Sequence, residues 1–300
     1  MLLTDMKNNP GGIRMDQEKA KQLIINKINN LPTLPDVVNK IVTLVQDERT
    51  TAKDLCKLIS YDQAISLRLL KVANSAYYGF LKEVATIQHA VVILGFDEVK
   101  RLSLGIAMFN FMQRTGDESS LVMDEFWKHS IGCSFASRII CKKVGIETDI
   151  TSTASLLHDI GKLILDNLFS KEYRIVLERS KKEKVSTTDI EQEILGFAHT
   201  DVGLWLCSKW KFPPSLIIPI THHHKVDKSD QENILRVSVV HLADILTKKA
   251  SIGNSGDNTI PCFQKIAEST LGIGEEEIDG IVEELKNDEE KVQAFINSIN

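Results

Sequence analysis

The chain is 300 residues long, 43% hydrophobic and 26% charged, with a net charge of −5. That length supports one large domain or two small ones, each with its own core, and the acidic balance provides no global basic field to attract nucleic acid or anionic lipid. No apolar run approaches the ~18 residues of a membrane span, and the start, MLLTDMKNNPGG, lacks the basic-then-apolar pattern of a signal peptide. The five cysteines, at 56, 133, 141, 207 and 262, are odd in number and form no C-x-x-C pair. They read as core cysteines in a reducing compartment, and the protein as cytoplasmic.

Residues 1–14 are polar, carry Pro10-Gly11-Gly12 and read as a flexible tail. Beyond them apolar residues recur at helical spacing and strand-like alternation is scarce, so the expected fold class is all-α. Helices are expected over 16–29, ended by Leu31-Pro32-Thr33-Leu34-Pro35, and over 36–46, with Pro35 suited to a first turn. Thr51 should cap a helix over 52–59 and Asp62 one over 63–74. Helices over 86–94 and 97–112 follow, parted by Gly95. The polar stretch 113–120 is the best boundary, dividing an N-terminal helical half, 15–115, from a second half, 116–250. The second half is expected to hold helices over 122–143, 152–168, 171–183, 187–209, 214–224 and 232–248. Residues 250–259, rich in Ser, Gly and Asn, read as a loop in a C-terminal extension, 251–300, whose helices cover 261–270 and 275–298. The run Glu275–Glu290 has nine carboxylates and one lysine. Its apolar Ile278, Ile281, Val282 and Leu285 fall at helical spacing, which marks a solvated helix face.

Residues 156–165 read Leu-Leu-His-Asp-Ile-Gly-Lys-Leu-Ile-Leu. His158 and Asp159 lie inside an apolar stretch, where a charged group must be paired or bind metal. Seven of the eight histidines fall between His129 and His241. Glu125 and His129 are four apart, and His129 shares an apolar stripe with Phe126, Cys133, Ala136 and Ile140. His158 and Lys162 are also four apart, and Gly161 leaves room for a close backbone approach or a phosphate. His199 lies on the face of Leu195, Ala198, Val202 and Leu206. His222, His223 and His224 end a helix, and Asp244 sits in a stretch apolar nearly all round. Each taken alone has a bland reading, as a core histidine or a helix-end charge. Together they bring imidazole and carboxylate from five helices, a donor set suited to iron, manganese or zinc in a binuclear centre.

The order His129, His158-Asp159, His199, His223-His224, Asp244 resembles the HD superfamily of metal-dependent phosphohydrolases. With Glu125 and Lys162 it looks like the ligand series of the HD-GYP branch. The rest of the chain is more specifically similar to the HDOD domain, an HD-related output domain of bacterial signalling proteins. The carrying segments are Leu31–Pro35, Ile59-Ser60-Tyr61-Asp62, Leu69–Gly79, Ala90–Gly95, Leu156–Leu163 and Trp210-Lys211-Phe212-Pro213. The resemblance implies a multi-helical HD fold and metal ligands at Glu125, His129, His158, Asp159, His199, His223, His224 and Asp244. It implies one or two divalent transition metals, iron or manganese ahead of zinc. HDOD domains are generally non-catalytic, which implies a regulatory module with a signalling protein partner; in the competing reading the chain is a phosphohydrolase or cyclic-dinucleotide phosphodiesterase, with Asp159 and Lys162 catalytic and a nucleotide or phosphate as ligand. Two features pull in opposite directions. The ligand order is complete, yet the Gly-Tyr-Pro expected after His224 is replaced by Lys225-Val226-Asp227-Lys228-Ser229-Asp230. The Asn74–Gly79 element reads first as a helix C-terminus and second as a contact surface.

Overall fold

The computed structural model describes residues 17–30, 36–46, 50–75, 83–113 and 119–299. Four expectations lie outside them: the tail, the Leu31–Pro35 breaker, most of the 113–120 boundary, and Ala76–Gly79. Among the described residues all regular structure is helical and there is no strand. None of its helices is long and apolar enough to cross a membrane.

The first six helices are α1 (Gln17–Asn30), α2 (Asp36–Gln46), α3 (Ala52–Ser60), α4 (Gln63–Ala73), α5 (Ile87–Leu94) and α6 (Phe96–Gln113). Their ends follow local chemistry. The Thr51 hydroxyl accepts the Asp54 amide at 3.3 Å while the Asp54 carboxylate accepts the Thr51 amide, a reciprocal cap. Asp62 accepts the Ile65 amide at 3.0 Å. Asn74 ends α4, and its side-chain amide pairs in both directions with the backbone of Val84. Gly95, at φ +90°, closes α5 where a Cβ would be strained.

Next come α7 (Met123–Val144), α8 (Asp149–Leu157), α9 (Ile160–Leu168), α10 (Ser170–Glu183), α11 (Thr187–Leu195), α12 (His199–Lys209), α13 (Pro214–His222) and α14 (Ile234–Lys249). The chain ends in α15 (Lys265–Leu271), α16 (Glu275–Asn287) and α17 (Glu289–Ile299). Three expected helices are each broken in two. The 152–168 stretch bends at His158-Asp159, with Asp159 at φ −96°, ψ 9°. The 187–209 stretch is interrupted by Gly196 in the left-handed region, at φ +82°. The 275–298 stretch is broken at Asp288. Periodicity survives each break because the flanking turns still bury their apolar faces against the same core.

One hydrophobic cluster runs from Ala20 in α1 to Ile296 in α17. Phe109 of α6 meets Trp127 of α7 edge-on at 5.8 Å, and Phe111 meets Trp210 at 5.6 Å. Lys209 donates to the carbonyl oxygens of Ile28 and Asn29, supplying partners for the open end of α1. Ile278, Ile281, Val282 and Leu285 are buried, and the carboxylates of α16 face solvent.

Candidate metal centre

Five elements converge within this core. α7 brings His129, the α8–α9 bend brings His158 and Asp159, α12 begins at His199, α13 runs out into His223 and His224, and α14 brings Asp244. In an unbroken helix consecutive side chains diverge by ~100°. The bend instead turns His158 and Asp159 to the same place. Gly161 allows the start of α12 to come close, because a Cβ there would lie 2.0 Å from the His199 carbonyl oxygen and 3.0 Å from the Gly203 amide nitrogen.

The donors fall into two groups of four, each with its atoms within 4.8 Å of one another: His129, Cys133, His158 and Asp244, and Asp159, His199, His223 and His224. Asp244 Oδ1 lies 3.1 Å from His129 Nε2 and 3.9 Å from His158 Nε2. Asp159 Oδ1 lies 3.2 Å from His199 Nε2 and 3.8 Å from His223 Nε2, and its Oδ2 lies 3.3 Å from His158 Nε2. The Asp159 carboxylate therefore reaches both groups, one oxygen toward each. Lys162 Nζ sits 2.8 Å from Asp159 Oδ2. Glu125 is not brought in; it is half-exposed and pairs with Lys128 at 2.9 Å, because its place in the first turn of α7 points it at solvent.

Hydrogen bonds set the imidazole tautomers. His158 Nδ1 is 2.7 Å from the Ser155 carbonyl oxygen and His223 Nδ1 is 2.8 Å from that of Ile220. A carbonyl only accepts, so each Nδ1 carries a proton and each Nε2 is turned toward the shared donors. His199 Nδ1 donates to Glu191 Oε2 at 2.7 Å, and the His199 amide donates to the same oxygen. Such outer partners orient metal-binding histidines. The Nε2 atoms of His158, His199, His223 and His224, with Asp159 Oδ1 and Asp244 Oδ1, are buried and make no hydrogen bond. Buried polar atoms without partners are costly. Six of them aimed at two shared points fit divalent metal ions.

Electrostatics agree with this donor set. Burial alone would raise the Asp159 carboxyl, but His158 and Lys162 outweigh it and hold it well below the usual range. Asp244 is likewise held down against burial, by Lys248 and His129. Burial, and then neighbouring histidines, push His223 and His224 well below the ordinary imidazole value. Burial also works against a charged His199, yet Glu191 overcomes it and its pKa is pushed up to about 9. A pH optimum for the chelator-treated protein follows. Depressed His223 and His224 make the unfolded state bind more protons below 6.5, so stability rises with pH there. The raised His199 makes the folded state bind more protons between 6.5 and about 9, so its contribution is full below 6.5 and is lost across that window. Melting temperatures of metal-stripped protein should therefore peak near pH 6.5, and a flat profile from pH 6 to 9 would contradict the arrangement.

The site is closed by a segment that sequence patterning reads only as a loop. Residues 250–264 cross it as a strap. Lys162 Nζ donates to Ser255 Oγ at 3.1 Å, and Lys248 bridges Asp244 at 3.1 Å and Asp257 at 3.3 Å. The Asn254 amide donates to the Glu125 carbonyl at 2.8 Å. Gln264 reaches the His224 carbonyl and the Val226 amide. His241 stays out of the donor groups; its Nδ1 donates to the His223 carbonyl at 2.8 Å and steadies that turn. Sequence reasoning missed Glu191, Ser255, Asp257 and Lys248 as supports, and it placed Cys133 in the core without placing it at the site. For Cys133 the signal was present, four residues from His129 on one stripe.

The sequence profile of the HDOD domain matches residues 31–226. The chain belongs to the HDOD family. Solved structures bear out the fold. An HDOD domain protein with unknown function from Geobacter sulfurreducens superposes with a TM-score of 0.78 at 22% identity, covering 95% of this chain and 98% of that one. A candidate phosphohydrolase from Shewanella amazonensis SB2B gives 0.72 at 21%, covering 92% and 98%. A candidate signal transduction protein from Marinobacter aquaeolei VT8 gives 0.80 at 19%, covering 94% and 65%. An uncharacterized protein of Treponema pallidum is 23% identical over 235 residues, which are 78% of this HDOD chain and 45% of that protein. The Bacillus subtilis protein YuxH is 28% identical over 149 residues, 49% of this chain and 34% of that protein. The chain thus spans less than half the length of these two relatives.

Proposed function

We propose that this HDOD protein is a signal-transducing regulatory module that works through contacts with a protein partner, its metal centre holding the helices in one arrangement. The observation that carries the reading is closure. His129, Cys133, His158, Asp159, Lys162, His199, His223 and Asp244 are each at most 1% exposed, and His224 is half-buried. A catalytic metal keeps an open position facing a cleft, whereas a structural one is enclosed by protein donors. Here each group offers four protein donors. One divalent transition ion in each group would tie α7, the α8–α9 bend, α12, α13 and α14 together and add its binding energy to folding. Imidazole and carboxylate donors accept iron, manganese or zinc.

The replacement for Gly-Tyr-Pro points the same way. Val226–Lys228 form a short 3-10 turn, and Val226 is buried with its amide on Gln264 of the strap. At the place where the resembling hydrolases carry Gly-Tyr-Pro, this chain has a fully buried Val226. Lys162, spent on Asp159 and Ser255, neutralises a buried carboxylate. Metal-loaded protein is expected to leave cyclic di-GMP and a generic phosphodiester intact. Turnover of either that disappears in Asp159→Ala would replace this reading with the phosphohydrolase, in which Lys162 beside Asp159 would meet the phosphate and a nucleotide would be the ligand.

A further inference from the structure

We infer that Cys133 is a metal ligand, and that with His129, His158 and Asp244 it makes a zinc site chemically unlike its neighbour. This rests on the two-metal reading above and goes beyond the imidazole and carboxylate ligands that the resemblance implies. Cys133 lies one turn after His129 on α7 and is fully buried. Its Sγ is 3.4 Å from His129 Nε2, and that Nε2 is 3.1 Å from Asp244 Oδ1. Ligands around one tetrahedral zinc lie roughly 3.3 Å apart, and about 3.6 Å apart when one is sulfur. Those two separations match edges of such a tetrahedron, while Asp244 Oδ1 and His158 Nε2, at 3.9 Å, would close by about 0.6 Å on a bound ion.

Two further atoms point at the same place. His158 Nε2 and Asp244 Oδ1 belong to residues 1% exposed and have no hydrogen-bond partner. His158 Nδ1 already donates to Ser155, so its Nε2 is free to bind metal. The set is two imidazoles, one carboxylate and one thiol, which loses its proton to solvent as the metal binds. Thiolate favours zinc over manganese, whereas the three imidazoles and one carboxylate of the other group carry no such bias. Four protein donors, with Asp159 Oδ2 3.3 Å from His158 Nε2 beside them, leave this site little room for a reacting molecule. The soft, closed site would hold α7, the α8–α9 bend and α14, and leave the other group to bind a different ion.

The test uses the full chain with exposed Cys262 changed to Ala, so that only buried thiols remain. Cobalt(II) titration should give two bound equivalents and a thiolate-to-cobalt charge-transfer band. Zinc-loaded protein should show a sulfur scatterer at about 2.3 Å by X-ray absorption, averaging half a sulfur per zinc. Cys133→Ser should lose the band and weaken one of the two equivalents at least ten-fold, leaving the other bound. Two bound equivalents with neither band nor sulfur scatterer would overturn the role of Cys133 while leaving the two-metal reading intact. Retention of no metal by the parent chain would overturn both. If Cys133→Ser fails to fold, the spectra of the parent chain decide by themselves.

Discussion

Asp159→Ala is expected to empty the group it shares with His199, His223 and His224, leaving the His129, Cys133, His158 and Asp244 group with its four donors, and to destabilise the protein by about 3–5 kcal/mol, the usual cost of removing one partner of a buried ion pair. The carboxylate touches His158, His199, His223 and Lys162, all buried. Without it the Lys162 ammonium remains desolvated, with only the Ser255 hydroxyl as partner. The second group is left with three donors and the first loses the neighbour that faces His158. Two causes of instability can be separated. Adding Lys162→Met removes the stranded charge at similar volume, so the double variant should regain part of the melting temperature and none of the metal. Elemental analysis and thermal melts on the three proteins suffice. An unchanged metal content in Asp159→Ala would remove the carboxylate from the centre.

Gly161→Ala is expected to do comparable damage by adding a single methyl group. The added Cβ would meet the His199 carbonyl oxygen at 2.0 Å and the Gly203 amide nitrogen at 3.0 Å, both backbone atoms that no rotamer change can move. Either α9 or α12 must shift, and His199 shifts with it. Overpacking ordinarily costs about 1–3 kcal/mol; a forced backbone contact between two core helices should exceed that and displace a donor. Gly280→Ala is the control. It lies within exposed α16 with nothing within 4 Å of the added atom, so it should stabilise by about 0.5–1 kcal/mol. Opposite shifts in melting temperature, with metal lost only in Gly161→Ala, are the expected result. A Gly161→Ala protein that melts and binds metal as the parent does would show that α9 and α12 are not held in this contact.

Much of this was legible in the chain itself. The 3.6-residue repeat of apolar positions defines the helices because each must bury one stripe. The caps at Thr51 and Asp62 and the stop at Gly95 are local backbone chemistry, visible within four residues. The inward His158-Asp159 pair was legible from the cost of burying it. Glu191 was not. Within Asp189-Ile190-Glu191-Gln192-Glu193 it resembles any solvent-facing carboxylate, and only the reversal at Gly196 brings His199 back onto it. The strap was equally hidden. Ser255 and Asp257 sit in a Ser/Gly/Asn-rich stretch that reads as surface, yet they are 1% and 5% exposed because buried Lys162 and Lys248 need partners.

Near-neighbour chemistry alone specifies an all-helical chain, the order of its donors and their residence in apolar helices, since periodicity and burial cost are local. It took long-range packing to bring seven of the eight expected ligands together with Glu125 left outside, to add Cys133 to them, and to lay residues 250–264 across the site. Those outcomes depend on where helices bend and which backbones can touch. A two-residue bend at His158-Asp159 and a missing Cβ at Gly161 decide how helices approach one another while leaving the local apolar pattern unchanged.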